Sequence, residues 1–250
     1  MKNSTLNGVS IIIPTYNEEK CIIKTLENIR KHVKIRKEVI IIDDSNDETE
    51  RIVKKYIRNH SWVTFIKNKP QTKGFVQSLF TGVKMSSKEL VVMVMGDMCD
   101  NPQTINIMYQ KISEGWDIVC GSRYMRGGKR LGGPEFLGFL SQYLCLSSYF
   151  LTGIPTHDIT NSFKMYRKQL LQKLKFNYEA GTAISMEILY QAYFNDAKIT
   201  EVPTVWRGRL ETRFKLGQRG PKYLKIFYWA LKNKLRQLLK LSLSEFYLKT

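Results

Sequence analysis

The sequence predicts an α/β protein built on a mostly parallel central sheet with helices on both faces, closed by a basic amphipathic C-terminal helix. Three observations carry this prediction. Short apolar runs recur along the chain, each is followed by a segment whose apolar residues fall at helical spacing, and the connections are short. No repeat, low-complexity tract or long linker interrupts the alternation. Residues 1–216 are therefore expected to form one domain and residues 217–250 a basic helical tail.

The first run, VSIII at 9–13, reads as a buried strand, and Ile22, Ile23, Leu26 and Ile29 then mark one face of a helix. A second strand at 39–42 ends in Asp43, Asp44, Ser45, Asn46 and Asp47, before a stripe of Ile52, Val53, Tyr56 and Ile57. The third, at 63–66, leads through Asn68, Lys69, Pro70, Lys73 and Gly74 into a helix over 75–84. The fourth is LVVMVM at 90–95, an unbroken apolar run that suits a strand buried on both faces. It stops at Gly96 and delivers Asp97 and Asp100, with Pro102 placed to open a helix. A fifth strand at 117–120 runs into Gly121-Ser122-Arg123-Tyr124. The uncharged stretch 136–155 nears membrane-spanning length, but Gln142, Thr152, Gly153 and three serines favour a buried or surface-lying helix.

With 250 residues and 43% apolar content the chain can bury a substantial core. Its 40 Lys and Arg against 22 Asp and Glu give a net charge of +18, which points to anionic partners without choosing among them. Cys21, Cys99, Cys120 and Cys145 are far apart and only three histidines are present, against structural zinc or a disulfide framework and consistent with a reducing cytosol. The opening MKNSTLNGVS lacks the apolar core of a secretory leader. No GxGxxG follows the first strand, and no GxxxxGK[ST] or GxSxG occurs.

The strand ends are alike: Tyr16 and Glu18, Asp43 and Asp44, Asp97 and Asp100. Loops after parallel strands converge on one edge, where open α/β sheets bind ligands. Carboxylates there suit a hard divalent cation bridged to phosphate. They serve equally as helix N-caps, and the spacing alone leaves both readings open. Lys73, Arg123, Arg126, Lys129 and Arg130 are the basic groups available to offset so many acids.

The order of these motifs resembles family 2 glycosyltransferases with the GT-A nucleotide-sugar-binding fold, in the branch of dolichyl-phosphate mannose synthases. Pro14-Thr15-Tyr16-Asn17-Glu18-Glu19 is similar to the family's opening motif, and Asp43-Asp44-Ser45-Asn46 to its second acidic motif. Gly96-Asp97-Met98-Cys99-Asp100 occupies the metal motif, with Met95 where the first acid usually stands. The segment from Asp158 through Asn161 and Ser162 to Arg167 resembles the branch's acceptor side, and Glu201-Val202-Pro203 precedes the last core turn. The resemblance implies nucleotide-sugar binding by Pro14, Tyr16, Asn17, Glu18, Asp43, Asp44, Lys73, Gly74, Gly96, Asp97, Arg209 and Lys215. It implies Mg2+ or Mn2+ on Asp97 and Asp100, and acceptor binding by Arg123, Asp158, Asn161 and Ser162. Two departures stand out. Leu137-Gly138-Phe139 runs through the region where an acceptor-phosphate arginine is expected, and Glu211-Thr212-Arg213-Phe214 replaces a small-residue closing loop.

Such an enzyme must neutralise a departing nucleoside diphosphate, which is work for a metal and cationic side chains. Asp97 and Arg209 are the expected catalytic groups, with Asp158 as proton acceptor if the acceptor is a hydroxyl. A phosphate acceptor is already an anion and needs only cationic positioning. A single displacement at C1 implies inversion. Between Arg207 and Lys240 stand eleven Lys and Arg and one acid, Glu211. Leu224, Phe227, Leu231, Leu235 and Leu238 share one helical face there, with Lys222, Lys225, Lys232, Arg236 and Lys240 on another. This helix can lie in lipid headgroups, or pack on its own domain or on a homodimer mate. The expectation is an enzyme peripheral to the inner, cytoplasmic face of an anionic membrane, using polyprenyl phosphate. The alternatives are a hydroxyl of a lipid-linked or surface glycan, and, from another class, a basic nucleic-acid-binding protein. The last leaves acids at three successive strand ends unexplained.

Overall fold

Every apolar run named above forms a strand. The computed structural model describes residues 6–69, 71, 73–175, 178–209 and 215–248. Pro70 and the expected closing loop at 211–214 lie outside the described residues. The elements are β1 (Val9–Thr15), α1 (Ile22–His32), β2 (Lys37–Asp43), α2 (Thr49–Ile57), β3 (Val63–Lys67), α3 (Phe75–Met85) and β4 (Leu90–Met93). There follow α4 (Thr104–Ser113), β5 (Ile118–Ser122), β6 (Lys129–Gly132), α5 (Glu135–Thr152), β7 (Lys164–Arg167) and α6 (Lys168–Lys173). The chain continues with α7 (Ile184–Tyr193), β8 (Ile199–Pro203), β9 (Val205–Gly208) and α8 (Leu216–Leu248).

The main sheet runs β3-β2-β1-β4-β7-β5-β8, and β6 pairs with β9 in a small parallel sheet beside it. Only β7 is antiparallel, wedged between β4 and β5. Because β1 is covered on both faces, its residues alternate between two cores. Ile12 joins Val76, Leu79, Met93 and Tyr190 on one side; Ile11 and Ile13 join Leu26, Ile29 and Met108 on the other.

Helix α5 lies on the surface. It buries Cys145, Ser148 and Thr152 and exposes Phe136, Phe139, Tyr143 and Phe150. The first half of α8 packs beside it, with Tyr223, Ile226, Phe227 and Ala230 joining the core. The buried face thus differs from the expected stripe, of which only Phe227 takes part, while Leu224, Leu235 and Leu238 are exposed. The helix is apolar on two sides, and the sequence period could not say which would meet the domain. Among the described residues no helix is long and apolar enough to cross a membrane.

Gly82 lets α3 sit directly on β1: a Cβ there would lie 2.4 Å from Ile12 Cγ2, a stiff branched atom in the centre of the sheet. Gly82→Val should lower stability in urea by about 1–3 kcal/mol; an unchanged midpoint would show that α3 can back away freely.

Candidate active site

The loops after β1 and β2 are tied together at one edge of the sheet. Asp44 N–H donates to Thr15 O (2.9 Å), Asn17 N–H to Ser45 Oγ (2.8 Å), and Asn46 N–H to Asn17 Oδ1 (2.9 Å). Asn17 adopts φ 55°, a left-handed turn that asparagine tolerates, next to the exposed ring of Tyr16. Asp44 is buried. Its Oδ1 accepts from Asn68 Nδ2 (2.9 Å) and its Oδ2 from Gly74 N–H (2.9 Å), which fastens the start of α3 to the same edge. Lys73 Nζ lies 3.5 Å from Asn46 Oδ1. Tyr16, Asn17, Asp44, Lys73 and Gly74 are therefore neighbours.

Asp43 is a correction. It is fully buried, accepts from Thr15 Oγ1 (2.7 Å) and Ser45 Oγ (2.5 Å) through Oδ1, and pairs with Lys67 Nζ at 2.6 Å through Oδ2. Both oxygens are engaged inside the protein, so Asp43 shapes the edge rather than meeting a nucleoside.

The turn after β4 packs under the first loop. A Cβ on Gly96 would lie 3.2 Å from Thr15 Cγ2 and 3.4 Å from Glu18 Cγ, so only a small residue fits easily. Asp97 Oδ1 accepts Cys99 N–H (3.0 Å), with Met98 at φ 64°. Asp100, expected as a metal ligand, is buried, and its Oδ2 accepts Met95 N–H (3.0 Å). Burial pushes its carboxyl up to about 7, and the charge of Asp97 adds to the rise. Asp100 closes the turn; Asp97 is its half-exposed acid. Arg209 reaches across, with Nε donating to Asp97 O (3.2 Å) and Nη2 paired with Glu18 at 2.9 Å. Burial works against the Arg209 charge, but Glu18 and then Asp97 outweigh it and hold the guanidinium above its usual range. Lys215 stands exposed just before α8 and touches none of this cluster among the described residues.

Beyond Asp100 the edge continues into a buried ion pair. Arg123 donates to Asp158 through N (2.9 Å), Nε (2.6 Å) and Nη2 (2.8 Å), and Nη2 also reaches Thr160 Oγ1 (2.9 Å). Burial opposes the charge of Asp158, yet Arg123 holds its carboxyl below the usual range. With both oxygens occupied and no exposure, Asp158 cannot serve as the proton acceptor expected from the sequence. Asn161 and Ser162 are also turned inward. The Asn161 amide bonds the backbone of Gly121 (2.8 Å) and Phe163 (3.3 Å), and Ser162 Oγ accepts from Ser185 (3.0 Å).

A cavity of about 540 Å³ opens beside this pair, between α5 and α8. Its walls are apolar, including Leu137, Leu140, Leu144, Leu224 and Phe227, and it also touches Arg123, Arg130 and Trp206. The two guanidinium carbons lie 5.7 Å and 5.3 Å from the Trp206 ring centre. Arg130 donates to Pro134 O (2.9 Å) and forms no salt bridge among the described residues. No arginine stands at Leu137-Gly138-Phe139, where the resemblance expected one; Arg130 of β6 reaches the same place from outside the helix. The signal was Gly138: a Cβ there would lie 2.4 Å from Arg130 Nη1, so the glycine makes room for the guanidinium.

A profile of Glycosyl transferase family 2 matches residues 10–175 of this chain. The chain belongs to this family. The family 2 glycosyltransferase described here is 27% identical over 209 residues to the dolichyl-phosphate hexose transferase of Haloferax volcanii, covering 84% of this chain and 87% of that one. It is 28% identical over 229 residues to the dolichol-phosphate mannosyltransferase of Pyrococcus furiosus, covering 90% of this chain but 64% of the longer relative. Among solved structures it resembles the UDP complex of glucosyl-3-phosphoglycerate synthase from Mycobacterium tuberculosis, with a TM-score of 0.66 at 16% identity, covering 91% of this chain and 80% of that one. It likewise resembles S. aureus TarS 1-349 in complex with UDP-GlcNAc, with a TM-score of 0.64 at 20% identity over 90% of this chain and 66% of that one. The fold of this glycosyltransferase is GT-A, as its sequence motifs implied.

Asp158→Asn should cost about 3–5 kcal/mol at pH 7, because it leaves the Arg123 charge buried and unpaired. The carboxylate's lowered pKa fixes the pH dependence: its contribution is complete above the ordinary aspartate value of 3.8 and is lost as pH falls through the lower folded value. Denaturation midpoints of the two proteins should stay equally separated from pH 7 to about 5, and converge only in stronger acid. Convergence already near neutrality would mean that the pair is not ionic.

Proposed function

We propose that this enzyme moves a sugar from a nucleoside-diphosphate donor to a polyprenyl phosphate, with inversion at C1, on an anionic membrane surface. The observation that carries this reading is the junction of the two halves of the edge. An apolar cavity of about 540 Å³ meets Arg123 and Arg130, and Arg123 lies near enough to the Asp97–Asp100 turn to influence Asp100 electrostatically. A long isoprenoid chain suits the apolar walls. A phosphate suits two guanidinium groups, one of which has no carboxylate partner among the described residues.

On the donor side, Tyr16, Asn17, Asp44 and Lys73 frame the nucleoside and Asp97 faces the diphosphate. A Mg2+ or Mn2+ ion would be held by Asp97, with Asp100 behind it. The described residues offer no cluster of three His, Cys, Asp or Glu for a metal, so a hard cation here would need substrate phosphate oxygens to complete its shell. Glucosyl-3-phosphoglycerate synthase from Mycobacterium tuberculosis was crystallised with Mn2+ and UDP. When bound, such an ion offsets the negative charge growing on the leaving diphosphate. Arg209, at the rim between Glu18 and Asp97, adds a second positive charge there.

The acceptor phosphate arrives as an anion, so no base need deprotonate it. This agrees with a site in which Asp158 is locked to Arg123. A glycan hydroxyl would need a base, and Asp158, the residue the sequence offered for that role, is engaged by Arg123. The curated relatives carry polyprenyl names: dolichyl-phosphate hexose transferase, dolichol-phosphate mannosyltransferase and, in Mycolicibacterium smegmatis, polyprenol monophosphomannose synthase.

The surface around the cavity supports membrane contact. Tyr143 and Leu224 line it and are also exposed, and Phe136, Phe139, Tyr228 and Trp229 are exposed on the same two helices. Lys225, Lys232 and Arg236 stand exposed among them on α8. Apolar insertion with basic flanks fits the headgroup layer of an anionic bilayer. The same basic residues would repel a second copy of α8, which supports lipid over a homodimer mate, and the anionic leaflet they suit is the cytosol-facing one.

Arg130→Ala should raise the KM for a short-chain polyprenyl phosphate by tenfold or more, given that a charged hydrogen bond contributes about 1.5–3 kcal/mol. Gly138→Ala, which adds no charge but displaces the guanidinium, should act in the same direction. Both variants should keep the thermal stabilisation that a nucleoside diphosphate with Mn2+ confers, whereas Asp97→Ala should lose it. Unchanged acceptor KM in both cavity variants would overturn the acceptor assignment.

A further inference from the structure

Asp158 can hold Arg123 only if its own backbone is held, and the residues doing so lie outside the cavity. Glu201 projects from β8, where it pairs in register with Cys120 of β5. Its Oε2 accepts from Thr156 Oγ1 (3.0 Å) and from His157 N–H (2.8 Å), and its Oε1 meets His157 Nδ1 at 2.5 Å. One carboxylate thus grips two consecutive residues. The His157 ring is fixed from its other side by stacking on Tyr149 of α5, with centroids 4.2 Å apart.

The grip passes directly to the ion pair. Thr156 is fully buried, and the hydroxyl that donates to Glu201 also accepts Asp158 N–H at 3.1 Å. The next atoms in line are the Asp158 carboxylate and the Arg123 guanidinium. Strand β8 also borders the other end of this connection, since Pro203 pairs in register with Ser122, the residue before Arg123. Both partners of the pair are therefore referred to one strand of the sheet, a more rigid support than the loop at 156–161. Within the guanidinium, Nε and Nη2 are engaged by Asp158, Thr160 and Ser141, while Nη1 has no partner among the described residues. Fixing two nitrogens fixes the direction in which the third can meet an anion.

We propose that Glu201 is a positioning residue for acceptor binding: through Thr156 and His157 it sets the turn that aims Arg123. This inference rests on the reading of Arg123 as a cation for the acceptor phosphate. It assigns Glu201 no contact with substrate and no proton transfer.

The test compares Glu201→Ala, Glu201→Gln and Thr156→Val with the wild-type enzyme. Glutamine keeps an acceptor oxygen for the Thr156 hydroxyl and the His157 N–H and presents an amide to His157 Nδ1. It should therefore keep the acceptor KM within about twofold of wild type, since a neutral hydrogen bond is a modest change. Glu201→Ala and Thr156→Val should raise that KM by tenfold or more, towards the roughly hundredfold that a misplaced positioning group can cost. The KM for the nucleotide sugar should not move in any of them. A second readout needs no turnover: the Arg123 Nε–H resonance should exchange slowly with solvent in wild type and Glu201→Gln, and fast in Glu201→Ala and Thr156→Val. If the wild-type enzyme does not glycosylate polyprenyl phosphate, the acceptor reading falls, and exchange at Arg123 alone decides whether Glu201 positions it. Equal protection of Arg123 in all four proteins, or parallel rises in donor and acceptor KM, would overturn the proposal.

Discussion

The buried pair between Arg123 and Asp158 is the interaction on which the site depends. Two charges taken out of water are costly unless each finds full partnership. Here the carboxylate accepts three bonds from Arg123, one from its backbone N–H and two from its guanidinium, and the guanidinium also donates to Thr160. The pair joins the end of β5 to the loop before β7 and stands between the Asp97 turn and the apolar cavity. Together with the Asn161 amide, which donates to Gly121 O, it anchors the loop that leads into the antiparallel β7. Lys164, fully buried at the start of β7, closes the same loop by donating to the carbonyls of Ile159 and Asn161.

The donor half is organised by the opposite device. Several acids crowd an edge, and the fold neutralises most of them internally. Asp43 is held by Lys67, Asp44 by backbone and side-chain donors, Glu18 by Arg209, and Asp100 by a backbone N–H at raised pKa. What remains turned outward is a small set: the ring of Tyr16, one face of Asp97 and the rim around Arg209. A polyanionic ligand can approach such an edge because its formal acid count overstates the charge it presents.

Much of this was legible in the residues, for identifiable reasons. β1, β2 and β4 are buried on both faces, so they announce themselves as unbroken apolar runs, and parallel strands necessarily place their polar ends together. β7 was hidden because it is only Lys-Met-Tyr-Arg, two of whose four residues are charged. A lysine at 0% exposure reads as surface until its carbonyl partners are known. The same ambiguity divided the acids. Asp43 and Asp97 look equivalent in sequence, and only the presence of Lys67 beside one of them separates a structural carboxylate from an exposed one. Arg130 stood among several basic candidates, and its place against α5 was not legible because the helix contributes only the space, at Gly138.

The arrangement makes a sharp distinction between acceptors. In the proposed reading, two guanidinium groups orient an anion, and Asp158, locked in its ion pair, is not available to deprotonate an alcohol. The most direct measurement is glycosyl transfer from a panel of nucleotide sugars to a short-chain polyprenyl phosphate and, in parallel, to the free alcohol of the same chain. Transfer to the phosphate with none to the alcohol is the expected result. Comparable or faster transfer to the alcohol would contradict the account at its centre.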